Sequence, residues 1–324
     1  VKVLFCIRSN YLENMAGDSV QLLICAKYLR EKGIEVDINN IINFEKYDII
    51  HLFNLTRINE TYEYYQMAKK INKTIVITPV YWNLQKFYMY TGNLYRIALW
   101  EKNMQLRKEI LNGCKMIYPS SYAELKLLQS EFGENLPYTV VYNCADFNFT
   151  NTDIQYEKDS YIICAARVCP RKNQLILSKL CNDLGEKLIL AGETNSQDYL
   201  ERCLKFNNVS YVGFKQKNEL YNLYRNAKLH VLCSFVETPG LSNLEAGACG
   251  CNIISTTEGA TGEYFEDMAV YCNPYDEDDI YKSIKEGLKF NRQPDLKNHI
   301  SHNFNPEKCL NTLYNSYINL NRNS

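Results

Sequence analysis

Short β-branched and aromatic runs alternate with segments of helical period along almost the whole chain. In the first half the strand candidates are KVLFCI, EVDI, DIIHLF, TIVITPV, MIYPS and TVVYN. In the second half they are YIICAA, KLILAGE, VSYVG, LHVLCS, CNIIST and AVYCN. Between them, segments 17–32, 120–132, 173–183, 217–226 and 276–289 carry apolar residues at helical spacing. Strands that are apolar throughout, alternating with helices, predict parallel sheets covered on both faces. Six strands and then six more, parted by the polar, turn-rich stretch FNFTNTDIQYEKDS at 147–160, predict two doubly wound α/β domains. A ligand is expected in the cleft between them, at the carboxyl ends of the strands.

Length agrees, since 324 residues exceed what one core usually covers. The apolar share of 46% and charged share of 23% are those of an ordinary globular chain. A net charge of −1 argues against nucleic acid as the main partner, and the slight basic lean of the first half is too weak to name another. The thirteen cysteines are scattered and odd in number, without a C-x-x-C; the nearest pair is Cys249 and Cys251. Most lie in apolar runs, where a reduced thiol is a small hydrophobe, so neither a zinc site nor a disulfide framework is expected. A reducing, cytoplasmic compartment fits. No run of 18 apolar residues and no signal peptide ahead of Val1 is seen, so a soluble chain is expected. No strand is followed by Gly-x-Gly-x-x-Gly, and no P-loop occurs, which removes the two commonest phosphate-binding fingerprints. The acidic run at 276–279 reads as the first turn of a helix rather than as a metal site.

Candidate chemistry concentrates in SFVETPGLSNLEAGACGCNIIST, residues 234–256. LHVLCSF ahead of it reads as a strand and GLSNLEAGAC as a helix starting near Gly240, with Pro239 suited to a first turn. The N–H groups of Gly240, Leu241, Ser242 and Asn243 are then expected to be free, and a helix N-terminus is an anion site. Glu237 before the helix and Glu245 inside it would repel a phosphate, so they suit sugar hydroxyls instead. A phosphate site flanked by two hydroxyl acceptors fits a nucleotide sugar.

Glu237-Thr-Pro-Gly-Leu-Ser-Asn-Leu-Glu245-Ala-Gly-Ala-Cys-Gly250 resembles the signature of family 4 glycosyltransferases, retaining enzymes of the GT-B fold, two Rossmann-like domains facing across a cleft. AARVCPRKN is similar to that family's Gly-Arg-Leu-x-x-x-Lys-Asn segment, VVYNCADFNF to the segment before its hinge, and MAGDSVQ to its Gly-Gly turn, with Ala16 for the first glycine. The resemblance implies an acceptor domain at 1–150, a donor domain at 151–304, and a last helix, 305–324, crossing back to the first. It implies that Arg167 and Lys172 grip the donor's diphosphate, with the neighbouring Arg171 as the alternative to Lys172. Glu237 would contact the donor sugar, Glu245 the ribose diol, and Gly240, Leu241 and Ser242 the diphosphate. Gly17 would approach the donor from the first domain, and Phe214 and Lys215 would line the base pocket. Glu263 matches a position near the cleft, with a capping or surface role as the alternative. Catalysis would rest on Glu237, Arg167 and Lys172, with retention and without a metal or other cofactor.

One departure stands out. After TIVIT, where family members often carry a His that helps hold the sugar, this chain has Pro79, Val80 and Tyr81. His51 closes another strand and reads as structural. The segment 81–109 mixes aromatics with Lys86, Arg96, Lys102, Arg107 and Lys108, which suits a peripheral membrane contact, an acceptor glycan, or plain packing. A GT-B sugar-nucleotide epimerase and a non-catalytic sugar-nucleotide-binding protein remain the rival functions.

Overall fold

The structure is a computed structural model that describes residues 1–145, 161–290 and 294–322. The break read at 147–160 therefore lies outside the described residues. Two compact units emerge, one of Val1–Cys144 with Pro306–Ser324 and one of Ala145–Asn305.

The first unit is built on five parallel strands, β1 (Lys2–Cys6), β2 (Glu35–Ile38), β3 (Ile49–Phe53), β4 (Thr74–Thr78) and β5 (Met116–Ile117), in the order β2-β1-β3-β4-β5. All five residues of β3 are buried, as a strand covered on both faces requires. The sixth expected strand, TVVYN, does not form. Residues 137–141 run beside β5 and exchange three backbone bonds, Ile117 N–H to Pro137 O, Thr139 N–H to Ile117 O and Val141 N–H to Pro119 O. Pro119 has no N–H with which to continue the ladder, so the pairing stops there.

The second unit carries six parallel strands, β6 (Ile162–Ala165), β7 (Leu188–Ala191), β8 (Val209–Tyr211), β9 (Leu229–Val231), β10 (Asn252–Thr256) and β11 (Val270–Cys272). Their order, β11-β10-β9-β6-β7-β8, is the doubly wound order in which the chain reverses direction between β6 and β9. Each unit has its own apolar core, one centred on Leu4, Ile50, Ile77 and Leu111, the other on Ile162, Leu190, Val231 and Ile254.

The helices expected from periodicity appear as Gly17–Glu31, Tyr122–Phe132, Gln174–Asp183, Lys217–Asn226 and Glu277–Gly287. The last begins in the acidic run: the Asp276 carboxylate accepts the N–H groups of Asp278 and Asp279 at 3.0 and 3.2 Å, an N-cap. Helix Pro306–Arg322 belongs to the first unit, where Tyr317 bonds His51 through its hydroxyl and Tyr118 meets Ser316 at 2.9 Å. All thirteen cysteines are free thiols, and only Cys169 is not fully buried. Among the described residues no helix is long and apolar enough to cross a membrane.

Candidate functional site

The chain reverses between β6 and β9, the place where open α/β sheets bind ligands, and two of the predicted segments emerge at the carboxyl ends of these adjacent strands. The loop after β6 carries Arg167, Arg171 and Lys172; the loop after β9 carries Glu237 and Gly240. Gln174, fully buried, pins the first loop by accepting the Cys169 N–H at 3.3 Å and donating to the Arg167 carbonyl at 2.9 Å. The second loop is pinned by a third, which follows β10: Glu237 N–H donates to Glu258 O at 3.2 Å and Ala260 N–H to Glu237 O at 3.1 Å. That approach demands Gly259, whose φ is +111° and on which an added Cβ would lie 1.9 Å from the Glu237 carbonyl oxygen.

At the meeting point the Lys172 ammonium bonds the Glu237 carboxylate, both side chains largely buried. Burial alone pushes the Glu237 carboxyl up, but the charges of Lys172 and then Arg171 outweigh it and hold it below the ordinary carboxylate range. Arg171 is held by its Nη1 on the Val236 carbonyl at 3.2 Å. The geometry thus gives Lys172, rather than Arg171, the direct contact with Glu237.

Helix Leu241–Ala248 starts one residue later than the sequence suggests. Gly240 is its N-cap at φ +72°, a left-handed conformation that a side chain would strain, so Pro239 precedes the cap instead of occupying the first turn. The Asn243 N–H is not free: it donates to Gly240 O at 2.8 Å, closing a tight first turn. Among the described residues the N–H groups of Gly240, Leu241 and Ser242 remain without a backbone acceptor.

What fixes this helix start leaves no signal in the local sequence. Asn243 is fully buried, its Oδ1 2.7 Å from His230 Nδ1 and its Nδ2 donating to Ser255 Oγ at 2.9 Å. Because Ala165 N–H donates to His230 Nε2 at 3.3 Å, Nδ1 carries the proton and donates to Asn243. Burial pulls the His230 pKa down to about 4, so the ring is neutral. One residue from β9 and one from β10 thereby peg the helix from beneath.

Glu245 lies on the side of the helix that faces helix Lys217–Asn226. Burial raises its pKa to about 7, against opposing pulls from Lys217 and the Tyr224 hydroxyl. It and Glu237 therefore sit in different electrostatic settings: cations outweigh burial at Glu237, and burial outweighs Lys217 and Tyr224 at Glu245. Phe214 and Lys215 lie in the loop after β8; Phe214 is half exposed and Lys215 pairs with Glu219 at 3.5 Å. Glu263 is half-buried in the short helix Thr261–Phe265. Gly17 opens helix Gly17–Glu31 in the first unit.

Also in the first unit, His51 is fully buried with both ring nitrogens engaged, Nδ1 by Tyr317 and Nε2 by Thr78 Oγ1 at 2.9 Å, and burial pulls its pKa down to about 3. Tyr81 cannot stand in for the missing His, because it turns inward. Its N–H donates to the fully buried Glu124 at 2.6 Å, its hydroxyl bonds Glu131, and its ring stacks on Trp100. The residue left at that strand end is Val80, half-buried at φ +45°, a costly conformation for a β-branched side chain. Among the described residues no three of His, Cys, Asp and Glu gather as a metal would need.

The fold is that of GT-B glycosyltransferases. A sucrose-phosphate synthase from Thermosynechococcus elongatus superposes with a TM-score of 0.83 over 100% of both chains at 16% identity. HepE of Anabaena, in complex with UDP and glucose, gives 0.77 over 98% of this chain and 99% of its own, also at 16% identity. The lipopolysaccharide outer core galactosyltransferase WaaB gives 0.67 over 98% and 99%, at 14% identity. No curated protein sequence matches the chain. The segment that carries the Lys172–Glu237 pair and the pegged helix, residues 149–303, matches the model of the family Glycosyl transferases group 1.

Proposed function

We propose that the protein is a retaining glycosyltransferase of family 4, moving a sugar from a nucleoside-diphosphate donor to a hydroxyl acceptor without a metal. The observation that carries the reading is the constellation at the β6/β9 reversal: Lys172 against Glu237, Arg167 and Arg171 on the same loop, and three unpaired N–H groups at a pegged helix start. The second unit binds the donor and the first the acceptor. Bond breaking puts charge on the leaving diphosphate, and Arg167, Lys172 and the amides of Gly240, Leu241 and Ser242 stabilise that charge where it develops. The acceptor hydroxyl attacks the anomeric carbon on the face the diphosphate leaves. A phosphate oxygen of the leaving group takes the proton, so configuration is kept and no protein nucleophile is needed. Glu237, anionic beside its cations, accepts hydroxyls of the donor sugar, and Glu245 accepts the ribose diol. HepE has been seen with UDP and with UDP-glucose, which makes a uridine diphosphate sugar the first donor to try.

The test is a thermal-shift series with UDP, GDP, ADP and CMP on the wild type, Arg167→Ala and Lys172→Ala, followed by product analysis with the matching sugar nucleotide. A nucleotide at about 100 times its Kd adds about 2.7 kcal/mol of stability. One nucleotide should stabilise the wild type, both substitutions should erase the shift, and each should lower transfer about 10²–10³-fold. An epimerised donor, or binding with no product at all, would replace the transferase reading with one of its rivals.

A further inference from the structure

Large apolar side chains scattered singly on a surface need no explanation, but a cluster does. Residues 89–95 present one. Helices Gln85–Tyr90 and Leu94–Lys102 form a hairpin, and at its tip Met89, Tyr90, Leu94 and Tyr95 are 63%, 58%, 76% and 74% exposed. The first of these helices buries none of its residues. The tip is nonetheless ordered: Gly92 turns the chain at φ +66°, Asn93 N–H donates back to Tyr88 O at 2.8 Å, and the Asn93 side chain caps the second helix through the Arg96 N–H. Its root is held in the core by Trp100, buried, with Arg107 3.9 Å above its ring and Tyr88 against its edge.

Charge narrows what covers this tip. Lys86 and Arg96 are exposed beside it, and no acid occurs from residue 81 to residue 100, in a chain whose net charge is −1. A second copy would bring the same cations against these. A neutral glycan would use the tyrosines but not Met89 or Leu94, which also offer no face for a nucleobase. An anionic bilayer uses all of them: aliphatic side chains below the headgroups, tyrosine rings at the headgroup level, and Lys and Arg reaching the lipid phosphates.

We propose that the 85–96 tip is a docking knob for an anionic membrane surface, which sets the first unit against the bilayer. The inference rests on the first unit alone and stands independently of the transferase reading.

The measurement is co-sedimentation of the whole protein with vesicles of phosphatidylcholine alone or mixed with phosphatidylglycerol, at low and high salt. Mixed vesicles should bind the protein at low salt, salt should weaken binding, and phosphatidylcholine alone should bind less. In the double variant Leu94→Asp, Tyr95→Glu the partition should drop at least about tenfold. Both acids enter the first turn of a capped helix, where they suit its dipole, so the variant should fold, with an unchanged thermal midpoint. Ile42→Ser, which removes an equally exposed apolar side chain elsewhere, should bind as the wild type does. Equal binding by wild type and double variant, or none by the wild type, overturns the proposal. So does a vesicle-free dimer abolished by the double variant, which would make the tip a contact between copies. Because the nucleotide thermal shift is read without vesicles, it can fail or succeed on its own.

Discussion

Glu237 and Glu245 share a sequence motif but not an environment. Glu237 is kept ionised by Lys172 and Arg171, whereas Glu245 titrates near 7 because burial opposes its charge. If the ribose diol donates to Glu245, the carboxylate has to be ionised in the complex. Below pH 7 binding must then expel a proton. Nucleoside-diphosphate affinity should fall with pH below 7, by at most about tenfold per unit, and level off above it. Calorimetric titrations from pH 5.5 to 8.5 would check this, and Glu245→Gln should flatten the profile. A wild-type profile already flat would remove Glu245 from the nucleotide. The pair itself could be read from the sequence by resemblance, as could Lys172. Gly259 could not, because its necessity comes from a backbone contact with Glu237, 22 residues earlier in the chain.

At the scale of the element, helix Leu241–Ala248 is only eight residues long and has no side-chain N-cap bond. So short a helix has little stability of its own, and its orientation comes from what holds it. The His230–Asn243–Ser255 chain does that from the two strands beneath. Asn243→Ala would leave the His230 N–H and the Ser255 hydroxyl buried without their partner, at a cost of about 2–4 kcal/mol. The same change should weaken nucleotide binding, since the free amides would no longer be fixed. Denaturant unfolding and nucleotide titration of one sample separate the effects: lost stability with full affinity would make the peg purely structural. Periodicity located this helix to within a residue. It could not show that Gly240 takes a left-handed φ of +72° and delays the start, at a place where an added Cβ would lie 2.8 Å from the Leu232 side chain.

Across the whole molecule, each unit contains one fully buried histidine that burial keeps neutral, His51 at about 3 and His230 at about 4. In the unfolded chain both protonate near 6.5. From pH 6.5 down to the folded values the unfolded state takes up protons that the folded state refuses, so each histidine lowers stability as pH falls. The slope is up to about 1.4 kcal/mol per pH unit for each. Glu245 and the buried Glu124, both shifted upward, work in the opposite direction. The histidine contribution is therefore best read by difference. Urea midpoints of His51→Gln and His230→Gln should fall less steeply with acidification than those of the wild type. Parallel curves would mean that the rings are not held neutral.

The sequence by itself determined the alternation of strands and helices, the six strands of the second unit, five of the six expected in the first, and the order of motifs around Glu237. These are local properties: strand apolarity, helical period and the spacing of a signature all lie within a few turns of chain. Only the tertiary structure decided that TVVYN stops short of a strand, because Pro119 on its neighbour cannot donate. It also decided that Tyr81 turns into the core and leaves Val80 at the end of β4, since a buried carboxylate 43 residues away captures the Tyr81 N–H. The peg under the helix belongs to the same class, joining His230, Asn243 and Ser255 from three elements. Hydrogen bonds between distant segments leave no periodic trace, and the burial that shifts His51, His230 and Glu245, like the cations that hold Glu237 down, acts only once the segments have met.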